Sequence, residues 1–158
     1  MKLARTLHLD VSDSKVFLKT ADSGEWAITG TFAFSDIDLN IISTKEKLAF
    51  REGWLGTASF GRATFVRVQN ISSDDCDQIL RNLSEHLLQK YGAPGMPEAL
   101  EAAKAELRDM QNICDHPQGT VLAIKREMYT DNIEEQVRVV PPTSFEAHAK
   151  IWAIENDK

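Results

Sequence analysis

The chain has 158 residues and a hydrophobic fraction of 42% with 27% charged residues, the balance of an ordinary globular domain with enough material for a core of its own. This excludes a disordered chain, a fibre and a disulfide-stapled miniprotein. The net charge of −6 argues against non-specific nucleic-acid binding, which needs Lys and Arg against phosphates.

The first period-2 set is Leu3, Leu7 and Leu9, interrupted by Arg5, and predicts a strand over 3–10. Residues 15–20 predict a short second strand after a polar turn. Residues 26–34 give the clearest strand signal. Trp26, Ile28, Phe32 and Phe34 alternate with Ala27, Thr29, Thr31 and Ala33, large on one side and small on the other. Gly30 within that run marks a bulge or a close approach by another element.

Ser43 followed by Glu46 has the spacing of a capping box and opens a helix over 44–55, stopped by Gly53 and Gly56. Residues 62–69 alternate again as a strand. Ser72 and Asp75 open the next helix, along which Cys76, Ile79, Leu80, Leu83, Leu87 and Tyr91 recur at helical spacing. Gly92 occupies the place of a left-handed cap, with Pro94 beyond it. Pro97 starts a further helix whose narrow stripe is Leu100, Ala103, Leu107, Met110 and Cys114.

Residues 120–129 and 135–140 predict two strands joined through Asp131 and Asn132 as a hairpin. Pro141 and Pro142 end it. Thr143 and Glu146 repeat the capping spacing before a tail with Phe145, Ile151, Trp152 and Ile154. Parallel strand–helix–strand alternation is absent. The order therefore predicts one α+β domain over 1–142, an antiparallel sheet of about five strands with three helices packed mainly on one face. The tail, 143–158, is expected to dock on the core or at an interface, with Trp152 as its anchor.

No catalytic or metal-binding pattern survives inspection. Gly56 and Gly61 have the spacing of a phosphate loop, but Arg62 and Ala63 stand where Lys and Ser/Thr are required. Gly53 to Gly56 is a poor nucleic-acid clamp, with bulky Trp54 inside it and an acidic chain around it. His8, His86, His116 and His148 are scattered one per segment, without metal-ligand spacing. Ser59 does not lie in a Gly-x-Ser-x-Gly elbow, and Asp74, Asp75 and Asp77 disfavour a thiolate at Cys76. The paired carboxylates, Asp36 with Asp38 and Glu134 with Glu135, read as solvated loops. Cys76 and Cys114 read as reduced, buried packing thiols. Residues 1–20 carry Arg5, His8, Asp10 and Asp13 in place of an apolar signal segment, so a cytoplasmic protein is expected. No cofactor, metal, nucleic acid or membrane is expected.

Charge is uneven: residues 1–70 hold nine basic and eight acidic groups, and residues 71–158 nine and sixteen. An acidic half serves solubility first and a basic protein partner second.

Met1 to Thr6, Gly24-Glu25-Trp26-Ala27 leading to Phe32-Ala33-Phe34, the run from Gly56 to Phe65, and Tyr91-Gly92-Ala93-Pro94 together resemble a family of small uncharacterised bacterial proteins, a domain of unknown function. The likeness covers residues 1 to about 140 and carries no activity or ligand with it. It implies an accessory role and directs attention to the distinctive loop at Ser59, Phe60, Gly61 and Arg62.

The leading expectation is a non-enzymatic binding or accessory protein acting through protein–protein contacts or self-association, with Trp54, Ser59, Phe60, Arg62 and Trp152 as ligand or partner contacts. The alternative is a small-molecule carrier or small enzyme. Its pocket, between sheet and helices, is lined by Phe34, Trp54 and Phe60, with Arg62 neutralising an anion.

Overall fold

In a computed structural model, residues 1–8, 17–130 and 132–141 are described. The expected tail, with Trp152, Thr143 and Glu146, lies outside the described residues, as do Asp131 and the first two residues of the predicted strand at 15–20. Residues 17–19 form a bend and not a strand, and Thr20 makes an isolated parallel bridge to Arg62. The rest is an α+β domain built on an antiparallel, curled sheet. Its strands are β1 (Lys2–Leu7), β2 (Trp26–Ile28), β3 (Trp54–Gly56), β4 (Arg62–Ala63), β5 (Phe65–Asn70), β6 (Val121–Met128) and β7 (Ile133–Val140). They lie in the order β4-β3-β2-β1-β5-β6-β7. The helices are α1 (Thr44–Glu52), α2 (Ser73–Lys90) and α3 (Met96–Ile113).

Seven strands stand where about five are expected: one predicted strand is shortened, one strand is added and one is split. The strand predicted over 26–34 ends at Ile28, because Gly30 takes a left-handed conformation (φ 70°) and residues Thr31–Phe34 coil into a 3-10 turn. A Cβ at Gly30 would stand 2.4 Å from the Leu55 Cβ and 2.8 Å from Arg62, which is the close approach that a glycine in a strand signals. Phe32 and Phe34 therefore diverge: Phe34 packs edge-on to Phe50, and Phe32 edge-on to Tyr91.

The first helix stops at Glu52, where the Gly53 amide closes its last turn on the Ala49 carbonyl. Trp54–Gly56 then enters the sheet between β2 and β4. The run at 62–69 is two strands: Arg62 and Ala63 pair with β3, whereas Phe65–Asn70 pairs with β1 and β6.

The helix boundaries follow their sequence signals. Ser43 and Glu46 make both halves of the capping box. The Ser72 hydroxyl accepts from the Asp75 amide at 3.1 Å, and Gly92 has φ 69°. Along α3 the buried stripe runs Ala99, Ala103, Leu107, Met110, then Cys114, with Leu100 half-buried beside it.

These residues join Cys76, Ile79, Leu83 and Leu87 of α2 and Val66, Val68, Leu122 and Ile124 of the sheet in one core. Val121, Ala123 and Val140, with Leu7 and Phe65, form a small second cluster. Alternation along a strand puts Val121 and Leu122 on opposite faces. Both cysteines are buried and free.

Candidate functional site

The loop between β3 and β4 is built around one carboxylate. Glu25, just before β2, accepts the amides of Ala58 (3.0 Å) and Ser59 (3.0 Å) on Oε1. On Oε2 it accepts the Ser59 hydroxyl (2.7 Å) and the Asp22 amide (2.7 Å). Ser59 Oγ in turn accepts the Gly61 amide at 3.0 Å. Glycines make this closeness feasible. A Cβ at Gly56 would fall 2.0 Å from Glu25 Oε1, and one at Gly61 2.4 Å from the Thr20 backbone. Charge-assisted bonds of this kind are among the stronger ones, so the loop has a fixed shape.

That shape puts Phe60 at φ 59°, the one described non-glycine residue with positive φ. An aromatic side chain in this region costs about 1–3 kcal/mol and persists where its surroundings impose it. The ring lies flat on His86 of α2, centroids 3.7 Å apart and planes 4° apart. Tyr91, 45% exposed, continues the row 5.4 Å from His86, and Phe32 meets Tyr91 at 5.1 Å. Burial, then the neighbouring Lys19 and Lys90, lower the His86 pKa, so the stacked imidazole is neutral near pH 7. In front of the stack is an open cavity of about 320 Å³, lined by Ala58, Phe60, Asn82, Glu85, His86 and Gln89. Aromatic rings beside amides and one carboxylate suit contact with a partner surface that is part apolar and part polar.

Ser59 serves this loop as a brace: its hydroxyl donates to Glu25 and its oxygen accepts the Gly61 amide. Among the described residues no group of three His, Cys, Asp or Glu is placed to hold a metal.

One residue beyond the loop the character changes. The guanidinium of Arg62 donates to the carbonyls of Thr29 (3.3 Å), Gly53 (3.1 Å) and Gly30 (3.1 Å). Arg126 of β6 lies beside it, donating to the carbonyls of Phe50 (2.9 Å), Gly53 (2.9 Å) and Thr29, and to the Thr31 hydroxyl (2.8 Å). Both stand over the Phe34 ring. Two buried cations thus close the C-terminal end of α1, where unpaired carbonyls carry partial negative charge.

Burial, then Arg126, brings Arg62 down to about 9; burial brings Arg126 down to about 10, opposed by Glu135 and Glu106. Glu135 lies on β7, not in a loop, 3.7 Å from Arg126 Nε, and accepts from Thr31. Burial, then Asp109 and Glu135, push Glu106 of α3 up to about 7.

The expected site residues therefore separate. Ser59 and Phe60 stand at the surface loop, Ser59 as its brace and Phe60 as its presented ring. Trp54 is 0% exposed, within the core, and Arg62 is spent on backbone carbonyls. Of the residues envisaged as lining a pocket, Arg62 stands over the Phe34 ring, Trp54 lies in the core and Phe60 stacks on His86. Sequence reasoning missed Glu25, whose partners are 33 and 34 residues away, and Arg126. His86 had a signal: Asn82, His86 and Gln89 share one face of α2 at spacings of four and three.

The sequence model of a family of unknown function (DUF6505) matches residues 1–157, which extends through the tail that the sequence resemblance left out. Neither the curated proteins nor the solved structures gave a match. Among the described residues, no helix is long and apolar enough to cross a membrane.

Proposed function

We propose that this chain, which belongs to the DUF6505 family of unknown function, is a non-enzymatic binding or accessory protein whose recognition surface is the ledge of Phe60, His86 and Tyr91. One observation carries the reading: an aromatic ring is held half-exposed in a disfavoured backbone conformation by a loop whose polar groups are otherwise committed to Glu25. Strain that is maintained at the surface, on a rigid frame, marks a place where a side chain is presented. Rigid aromatic side chains are the usual anchors of protein–protein contacts, since they bring area at little entropic cost. The carrier reading loses support because Trp54 and Arg62, its intended wall and anion partner, are committed to the core and to backbone carbonyls.

The test is native mass spectrometry of the tagged protein purified gently from its source cells, beside Phe60→Gly and His86→Ala. A second polypeptide with the wild type, lost from both variants, is the expected result. A small non-covalent mass that survives both substitutions, with no second polypeptide, would overturn it.

A further inference from the structure

The two edges of the sheet differ. At one, β4 has only two residues, and Arg62 is already bonded to the chain outside it: its amide donates to the Lys19 carbonyl, and its carbonyl accepts the Ala21 amide, both at 2.9 Å. At the other, β7 runs for eight residues in unbroken register with β6, from Val140 opposite Val121 to Ile133 opposite Met128. No strand among the described residues pairs with its outer side. It has neither a bulge nor an internal proline, and the charges it carries, Glu134, Glu135 and Arg138, are of both signs.

The hairpin fixes which backbone groups face outward. The Tyr129 amide donates to the Asn132 carbonyl, so antiparallel alternation turns the amides and carbonyls of Glu134, Gln136 and Arg138 toward β6. Those of Ile133, Glu135, Val137 and Val139 face away from it. We infer that this edge pairs antiparallel with β7 of a second copy about a two-fold axis at Gln136, joining two sheets into one.

The register follows from charge. Outward groups must meet outward groups, so the axis passes through a residue, not between two. Centred on Glu135, it would oppose that carboxylate to its own copy. Centred on Val137, it would leave Glu134 facing Val140. Centred on Gln136, it sets Glu134 against Arg138 of the second copy twice over, and Ile133 against Val139, which is otherwise 46% exposed. Opposite charges directly across a strand pair are favourable and like charges unfavourable, and a two-fold interface must be complementary to itself. Of these registers, only the one at Gln136 sets Glu134 against Arg138; Glu135 falls opposite Val137 of the second copy and keeps Arg126 of its own chain. This inference is independent of the Phe60 ledge, which is on other elements.

Light scattering on the full chain at tens of micromolar, roughly where a modest interface is populated, should give twice 17.7 kDa. Val139→Pro removes only an outward amide and should weaken the dimer about tenfold or more while circular dichroism is unchanged. Arg138→Glu should do the same, and adding Glu134→Arg in the same chain should restore the dimer. Gln136→Cys should form an intermolecular disulfide on oxidation, because a non-hydrogen-bonded pair brings side chains closest, whereas Lys125→Cys should not. A monomeric wild type, or a dimer indifferent to Val139→Pro and to the charge swap, would overturn the inference.

Discussion

Phe60 and Arg62 are two residues apart, yet they meet opposite fates. Arg62 turns inward, and its donors are consumed by the carbonyls of Thr29, Gly30 and Gly53. Phe60 turns outward, and a carboxylate 35 positions earlier in the chain holds the loop that displays it. At the inner end polar groups serve the fold and leave nothing for a partner. At the outer end the polar groups hold a shape, and the apolar ring is what remains available. A loop that is distinctive in sequence therefore need not be a site throughout its length.

The sharpest way to break this contrast is at Arg126. Arg126→Met strands the Phe50 carbonyl, removes the donor to the Thr31 hydroxyl and takes one of two arginine donors from the carbonyls of Gly53 and Thr29. Against these losses it relieves the like charge beside Arg62. Stability should fall by about 3–5 kcal/mol in urea unfolding; a loss below about 1 kcal/mol would mean the cluster is not structural. Next comes Glu25→Ala, which should cost roughly 2–3 kcal/mol. It should also speed hydrogen exchange at the amides of Ala58, Ser59 and Gly61 while leaving those of α2 protected. Equal loss of protection in both places would show that the loop is not a separate rigid unit.

Glu106 tests the inner region by pH. Its folded value of about 7 lies above its ordinary 4.5, so the unfolded chain releases its proton first. Stability from this group is complete below about pH 4.5 and is lost as pH rises toward and through 7. Glu106→Gln should therefore stabilise the protein at pH 8, by on the order of 2 kcal/mol, and do nothing near pH 4. The smallest stability effect belongs to Phe60→Gly. Relief of the positive φ offsets the lost stacking on His86, so the net change should be under about 1 kcal/mol in the same unfolding assay.

Long periodic segments were legible from sequence alone. The stripes of α2 and α3, the Ser43–Glu46 box, the cap at Gly92 and the β6–β7 hairpin all rest on local spacing. What was not legible is short or non-local. β3 and β4 have three and two residues and exist because their neighbours supply partners, while α1 carried on past Glu52 in any reading that counted only periodicity. The alternation of Trp26, Ile28, Phe32 and Phe34 resembled one strand because a left-handed Gly30 leaves no trace in the pattern. The site was half visible: Ser59 and Phe60 stood out as an unusual loop, but their frame depends on Glu25, and no spacing rule links positions so far apart.

We propose that Phe60 faces a partner while its near neighbours face only their own chain. The most direct measurement replaces Phe60 by the photoreactive analogue benzoylphenylalanine in the source cells, and in separate chains replaces buried Phe34 or exposed Ser43. Irradiation should give an intermolecular adduct at position 60 that is absent at 34 and 43. No adduct at position 60, or the same adducts at Ser43, would show that Phe60 does not face a partner.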